Sequence, residues 1–224
     1  MNERKAKQPF HFYTKLNLLQ YTGKKAKNLE ELLKLIKEVP ESSIYHHTHN
    51  FLFTSNWVIP PPASDFAYWV REVLQEKTLA EALNGIDIPG LTSIPALREE
   101  IISVIEQYLT AHEAVRRREA PPGEDFFFTE AVTFILPTRY VANNLVEFAE
   151  LLEQVSVSSV YFHVFDARLR LQRAENDFSF WIRDSIGDTE LADKISSVDP
   201  YFYTLEELRK WIIKTVREKI GRMG

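Results

Sequence analysis

Three histidines stand within four positions in "SSIYHHTHNF", residues 42–51: His46, His47 and His49. Imidazole ligates metals and titrates nearest neutral pH. The cluster therefore reads as a metal site, an acid–base group or a set of structural histidines. Spacing separates these in part. On a helix begun at Ser42 or Ser43, His46 and His49 share a face and His47 points elsewhere. On a strand, His47 and His49 share a face, the HxH spacing of many metal sites. A helix over 43–51 is favoured, because the corresponding later stretch runs on into "DARLRLQRAEND". The β-prone "VYFHVF" in that stretch keeps the strand open.

That later stretch belongs to an internal match. Displaced by 116 positions, residues 10–51 align with 126–167, with thirteen identities among 42 pairs. The match resumes where "DFAYWVREVL" (65–74) meets "DFSFWIRDSI" (177–186), and again where "LREEIISVIEQYL" (97–109) meets "LRKWIIKTVREKI" (208–220). Internal repeats decide a fold reading. They imply a tandem duplication: a first copy at 8–111, a connector at 112–125 rich in charge and proline, and a second copy at 126–222.

The alignment sorts the histidines. His47 meets His163, and Trp69 meets Trp181; these matched pairs read as structural. His11, His46 and His49 meet Phe127, Phe162 and Phe165. Three neutral imidazoles in one copy could hold a divalent transition metal with an open coordination position. The candidate metal set is thus His46, His49 and His11. With Trp57, from the extra loop "TSNWVIPPPAS", the same three could instead line a metal-free ligand pocket, or they could face solvent. No HExxH motif accompanies them, and Glu41 and Asp65 are the nearest carboxylates in sequence. Paired serines at 42–43 and 158–159 sit at element starts, where helix capping accounts for them.

The elements that must position these residues follow from periodicity. Phe10, Phe12, Leu16 and Leu18 share one parity, as do Phe126, Phe128, Val132 and Phe134, which predicts a short strand opening each copy. Asn28 with Glu31, and Asn144 with Glu147, are helix starts of the capping-box kind. Leu29, Leu32, Leu33 and Ile36 then form one helical face. Asp65 and Asp177 are placed to cap the Asp-Phe-x-x-Trp helices, and Thr204 with Glu207 opens the last helix. The fold class expected is mainly α with a minor β part: two copies, each a short strand plus about five helices, packed about a pseudo-two-fold axis.

Composition narrows function. The 224 residues include no cysteine, which removes thiolate metal sites, disulfides and cysteine nucleophiles. Seven glycines and no GxGxxG or GxxxxGK[ST] pattern argue against phosphate loops. A net charge of −5 makes nucleic acid a poor partner. No apolar run approaches the length of a membrane span, and the N-terminus lacks a secretory pattern, so a cytoplasmic protein is expected.

Four stretches carry a resemblance: "FHFYTKLNLLQYTGKKAKNLEELL", "SSIYHHTHNFL", "PPASDFAYWVREVL" and "SVSSVYFHVFDARLRLQRAENDFSFWIRDSIGDTELADKI". Together they resemble an uncharacterised prokaryotic family known only as a domain of unknown function, DUF5752, across roughly residues 10–220. The resemblance implies that the Tyr-His-His-Thr-His and Asp-Phe-x-x-Trp segments belong to the family's pattern. It supplies no activity, cofactor or catalytic residue.

The leading expectation is a non-catalytic ligand-binding or regulatory and interaction protein. Its site would lie in the first copy around His11, His46, His49 and Trp57, with no cofactor and an unidentified protein or small-molecule partner. The alternative is a metal-dependent enzyme using the same histidines. A third class, a structural partner in a larger assembly or homo-oligomer, would show as an exposed aromatic patch on the second copy.

Overall fold

The alternating aromatic stretches do become strands, but long ones. β1 (Phe10–Ala26) and β2 (Phe126–Ala142) have 17 residues each and pair with one another in a two-stranded antiparallel sheet. The computed structural model describes residues 5–49, 64–91, 93–167, 175–199 and 203–223. Ten α-helices occur among them, so the mainly α class holds. None of these helices is long and apolar enough to cross a membrane.

The chain divides into two compact units that interleave in sequence. A central unit comprises Asn17–Val132; a terminal unit joins Met1–Leu16 to Thr133–Gly224. The central unit holds α1 (Leu29–Glu38), α2 (Glu41–His49), α3 (Asp65–Glu72), α4 (Lys77–Asn84) and α5 (Ile94–Ala111). α1 starts as the sequence predicts: the Asn28 side chain accepts from the Glu31 N–H, and the Glu31 carboxylate accepts from the Lys27 N–H. Its buried face is Leu29, Leu32, Leu33 and Ile36. These side chains share a core with Leu97, Ile101, Ile105 and Leu109 of α5 and with Phe126 and Phe128 from the start of β2.

The terminal unit holds α6 (Leu145–Gln154), α7 (Val157–Tyr161), α8 (Asp177–Trp181), α9 (Thr189–Ser196) and α10 (Leu205–Met223). A π-helical turn follows α7 over Phe162–Asp166, and another follows α8 over Ile182–Ile186. Phe10 and Phe12, from the start of β1, enter this unit's core. The Phe12 ring stacks on Phe148 at 5.6 Å, and Phe10 packs against Phe178 at 5.4 Å and Trp181 at 5.6 Å.

The expected tandem duplication, with a short strand and about five helices in each copy packed about a pseudo-two-fold axis, is therefore corrected. The strands are long and pair only with each other among the described residues. The structure does not show two successive, self-contained copies. The reason is geometric. Seventeen residues at about 3.3 Å each span about 56 Å, so the start of β1 cannot reach the helices that follow its own end. Antiparallel pairing instead brings that start beside the end of β2, where α6 begins.

Parity also fails to predict burial. Phe10, Phe12, Phe126 and Phe128 are buried, whereas Leu16, Leu18, Val132 and Phe134, of the same parity, are 41–52% exposed. Lys15 is buried in their stead: its ammonium pairs with Asp166 at 2.7 Å and lies 4.1 Å from the centre of the Tyr161 ring. Burial pushes the Lys15 ammonium below the usual lysine range, against the pull of Asp166.

This interleaving predicts a non-local effect. Phe128→Ala removes a ring with no exposed surface and costs about 3–5 kcal/mol. In native-state hydrogen exchange, the added exchange should concentrate in helices α1–α5, which lie before Phe128 in sequence, and spare α6–α10.

Candidate functional site

The histidine stretch is helical: α2 runs Glu41–His49, as favoured. Its positions 43 and 47 are one turn apart and share a face. From that face two side chains grip one residue of β2. The Ser43 hydroxyl donates to the Thr129 carbonyl at 2.9 Å, and the Thr129 N–H donates to His47 Nε2 at 3.0 Å. Because Nε2 accepts, the imidazole proton sits on Nδ1, which donates to Asp65 Oδ2 at 2.8 Å. The His47 ring also meets Phe126 at 4.8 Å and Phe66 at 5.4 Å.

The terminal unit contains the same constellation. The Ser159 hydroxyl donates to the Tyr13 carbonyl at 2.6 Å, and the Tyr13 N–H donates to His163 Nε2 at 2.8 Å. His163 Nδ1 then donates to Asp177 Oδ2 at 2.7 Å. Each strand start is held at further points. The indole N–H groups of Trp69 and Trp181 donate to the Glu124 and Gln8 carbonyls, both at 2.7 Å. The Thr22 and Thr138 hydroxyls donate to the Phe128 and Phe12 carbonyls, again at 2.7 Å. His47, His163, Trp69 and Trp181 thus act as strand clamps.

His46 and His49 are buried in the central unit, whereas His11 is exposed and belongs to the terminal unit. Trp57 lies outside the described residues. The His49 ring stacks on Tyr45 at 4.9 Å, as Phe165 stacks on Tyr161 in the terminal unit. The Thr48 hydroxyl donates to the Ile44 carbonyl at 2.7 Å and lies 2.8 Å from His49 Nδ1, so that nitrogen carries a proton. The His46 ring packs edge-on to His47 at 4.9 Å, and its Nδ1 is buried without a hydrogen-bond partner among the described residues. Burial pushes the His46 imidazole below the ordinary histidine range; His47 acts the same way and Asp65 opposes both.

Among the described residues one group has metal-like proximity: His46, His47 and Asp65 have ligand atoms within 4.8 Å of one another. The hydrogen bonds decide what it can do. His47 Nε2 spends its lone pair on Thr129, and Nδ1 carries the proton given to Asp65. His46 and Asp65 are then the members of this group with lone pairs to offer, short of the four donors of a tetrahedral centre. His11 instead borders a cleft of about 500 Å³ in the terminal unit, with Phe10, Tyr13, Phe180, Trp181 and Asp184 on its walls.

Two expectations about polar side chains were misplaced by a residue or two. Ser64 and Asn176, not Asp65 and Asp177, cap α3 and α8, accepting from the Ala67 and Ser179 N–H groups. The aspartates are thereby free to take the histidines. Ser43 and Ser159 reach across to strand carbonyls, and Ser156 is the cap of α7. The sequence carried a signal for this: Ser-x-x-x-His followed by Asp-Phe-x-x-Trp stands in both halves.

The sequence profile described as "Family of unknown function (DUF5752)" matches residues 7–217. No curated protein matches significantly. Among solved structures, the chain is similar to OrfY from Thermoproteus tenax at 29% identity. That likeness covers 96% of each chain, with a TM-score of 0.80.

The depressed His46 pKa sets a pH dependence with a definite sign. Above about pH 6.5 the residue is neutral whether the chain is folded or not, and its burial costs nothing in protonation. As the pH falls below that value the unfolded chain takes up a proton that the folded chain resists, so stability declines. His46→Phe, the residue type found at 162, removes this contribution. The melting temperature of the variant should fall less than that of the parent between about pH 7 and pH 5.5; parallel curves would exclude it.

Proposed function

We propose that this chain, which belongs to the family of unknown function DUF5752, is a non-catalytic interaction protein that meets its partner through the exposed apolar β-ribbon. The observation that carries this reading is the ribbon's surface. Leu18 and Leu19 are adjacent, so they face opposite sides of the sheet, yet they are 52% and 58% exposed. Tyr21 and Phe127 are also about half exposed, and their rings touch at 5.8 Å. Consecutive exposed apolar residues on a strand favour aggregation unless a partner covers them. The commitment of both His47 nitrogens to the fold supports the same reading over the metal-dependent enzyme. That alternative would have to work through His46 and Asp65 alone in this group.

A photo-crosslinking amino acid at Leu19 tests the reading in producing cells. Irradiation should yield a covalent adduct at Leu19 and none with the same group at exposed Glu99 on α5. Equal labelling at both positions would overturn it.

A second reading rests on the terminal unit's cleft. Its aromatic walls, with Asp177 and Asp184 also lining it, suit a small cationic or aromatic ligand. Choline and arginine amide are suitable probes. Either should raise the melting temperature of the parent chain and not that of Phe180→Ala; no shift with both would exclude this reading for those ligand classes.

A further inference from the structure

We infer that the cleft of the terminal unit receives a quaternary ammonium group, set against the rings of Tyr13 and Phe180 with the Asp184 carboxylate as its counter-ion. The inference rests on the cleft reading above and commits that site to one ligand class. A volume of about 500 Å³ lies within the range of small-molecule sites. The described lining residues all belong to the one unit.

Three observations choose this class. The first is charge. Asp177 and Asp184 line the cleft, and no lysine or arginine does so among the described residues. Asp177 accepts from His163 Nδ1 at 2.7 Å, but that imidazole is neutral, since its Nε2 accepts from Tyr13, and it leaves the carboxylate charge in place. Asp184 makes no ion pair among the described residues. Its neighbour Arg183 is taken by Glu175 and Asp193, both at 2.8 Å. Uncancelled negative charge in a concave site draws cations and repels anions.

The second is the wall. Tyr13 and Phe180 are 37% and 40% exposed, whereas Phe10, Phe162 and Trp181 behind them are buried. A cation is attracted to an aromatic face, and the attraction grows as water is displaced.

The third is hydrogen bonding, and it separates a methylated ammonium from a bare one. A bare ammonium brings three N–H donors, and aromatic rings cannot replace the water that those donors give up. Rings predominate in this wall. A quaternary ammonium has no N–H to satisfy, so it loses less on entry.

The test is an NMR titration of the full, nitrogen-labelled chain, read at the tryptophan indole groups and run at fixed ionic strength so that screening does not vary. Choline, to about 50 mM, should shift the Trp181 indole N–H, which borders the cleft, and leave that of Trp69 in the central unit unmoved. Neohexyl alcohol, in which carbon replaces the ammonium nitrogen of choline, should bind about tenfold more weakly. Asp184→Asn removes the counter-ion, and His11→Lys sets a fixed positive charge in the lining. Each should weaken choline about threefold and leave neohexyl alcohol unchanged. Both residues are exposed, so neither change disturbs the core.

Equal affinity for choline and neohexyl alcohol overturns the cation inference while the cleft reading survives. A Trp181 shift with benzyl alcohol alone does the same. Choline binding that neither variant weakens overturns the assignment of Asp184 as counter-ion. If none of the three compounds moves Trp181, the inference and the cleft reading fall together.

Discussion

A single residue of each strand, held at both its N–H and its C=O by a serine and a histidine one helical turn apart, is the contact on which the rest of this fold depends. Burying the two aromatic rings just before it, Phe126 and Phe128 or Phe10 and Phe12, brings its peptide groups against the helical core, where a buried, unpaired backbone group costs about 1–3 kcal/mol. At Thr129 those partners are Ser43 and His47; at Tyr13 they are Ser159 and His163. The strand start becomes part of a helical core without a neighbouring strand on that side. Aspartate then fixes each imidazole in the tautomer that the strand N–H requires, as a carboxylate hydrogen-bonded behind a metal-ligating histidine does.

This explains why histidine is present where an apolar residue would pack as well. Phenylalanine could fill the space of His47 among Phe66, Phe126 and Phe128, but it could not accept from Thr129. Where no strand N–H has to be met, the constraint lifts. His46 and Phe162 each lie edge-on to the clamping histidine, at 4.9 and 5.0 Å. His49 and Phe165 each stack on a tyrosine. The extra histidines of α2 are therefore buried aromatic residues with a polar edge, and His46 makes the central unit sensitive to acid in a way the phenylalanine does not.

Much of this was legible in the sequence, and what was not had a physical cause. Helix α1 could be read with its cap and its buried face, because both signals are local. The helical reading of 43–51 rested on continuation downstream and held over Glu41–His49. The pairing of His47 with His163 pointed to structural roles. What local pattern could not give was the destination of the strand starts. Phe10 aligned with Phe126, so each was assigned to the helices following it, whereas strand length sends each to the other set. For the same reason His11 belongs to a different unit from His46 and His49. The exposed ribbon escaped notice because strict alternation implies burial on one face. That rule assumes a core along the full length of the strand.

The central claim is the clamping role of the paired histidines, and nitrogen NMR of the imidazole rings tests it most directly. In protein labelled at histidine nitrogen, at pH 7.5, His47 and His163 should both be in the Nδ1–H tautomer. Nε2 should resonate as an unprotonated nitrogen coupled across a hydrogen bond to the amides of Thr129 and Tyr13. Protonated Nε2 in either ring, or a shift of His47 on adding zinc, would contradict the account and return these histidines to the list of candidates for chemistry.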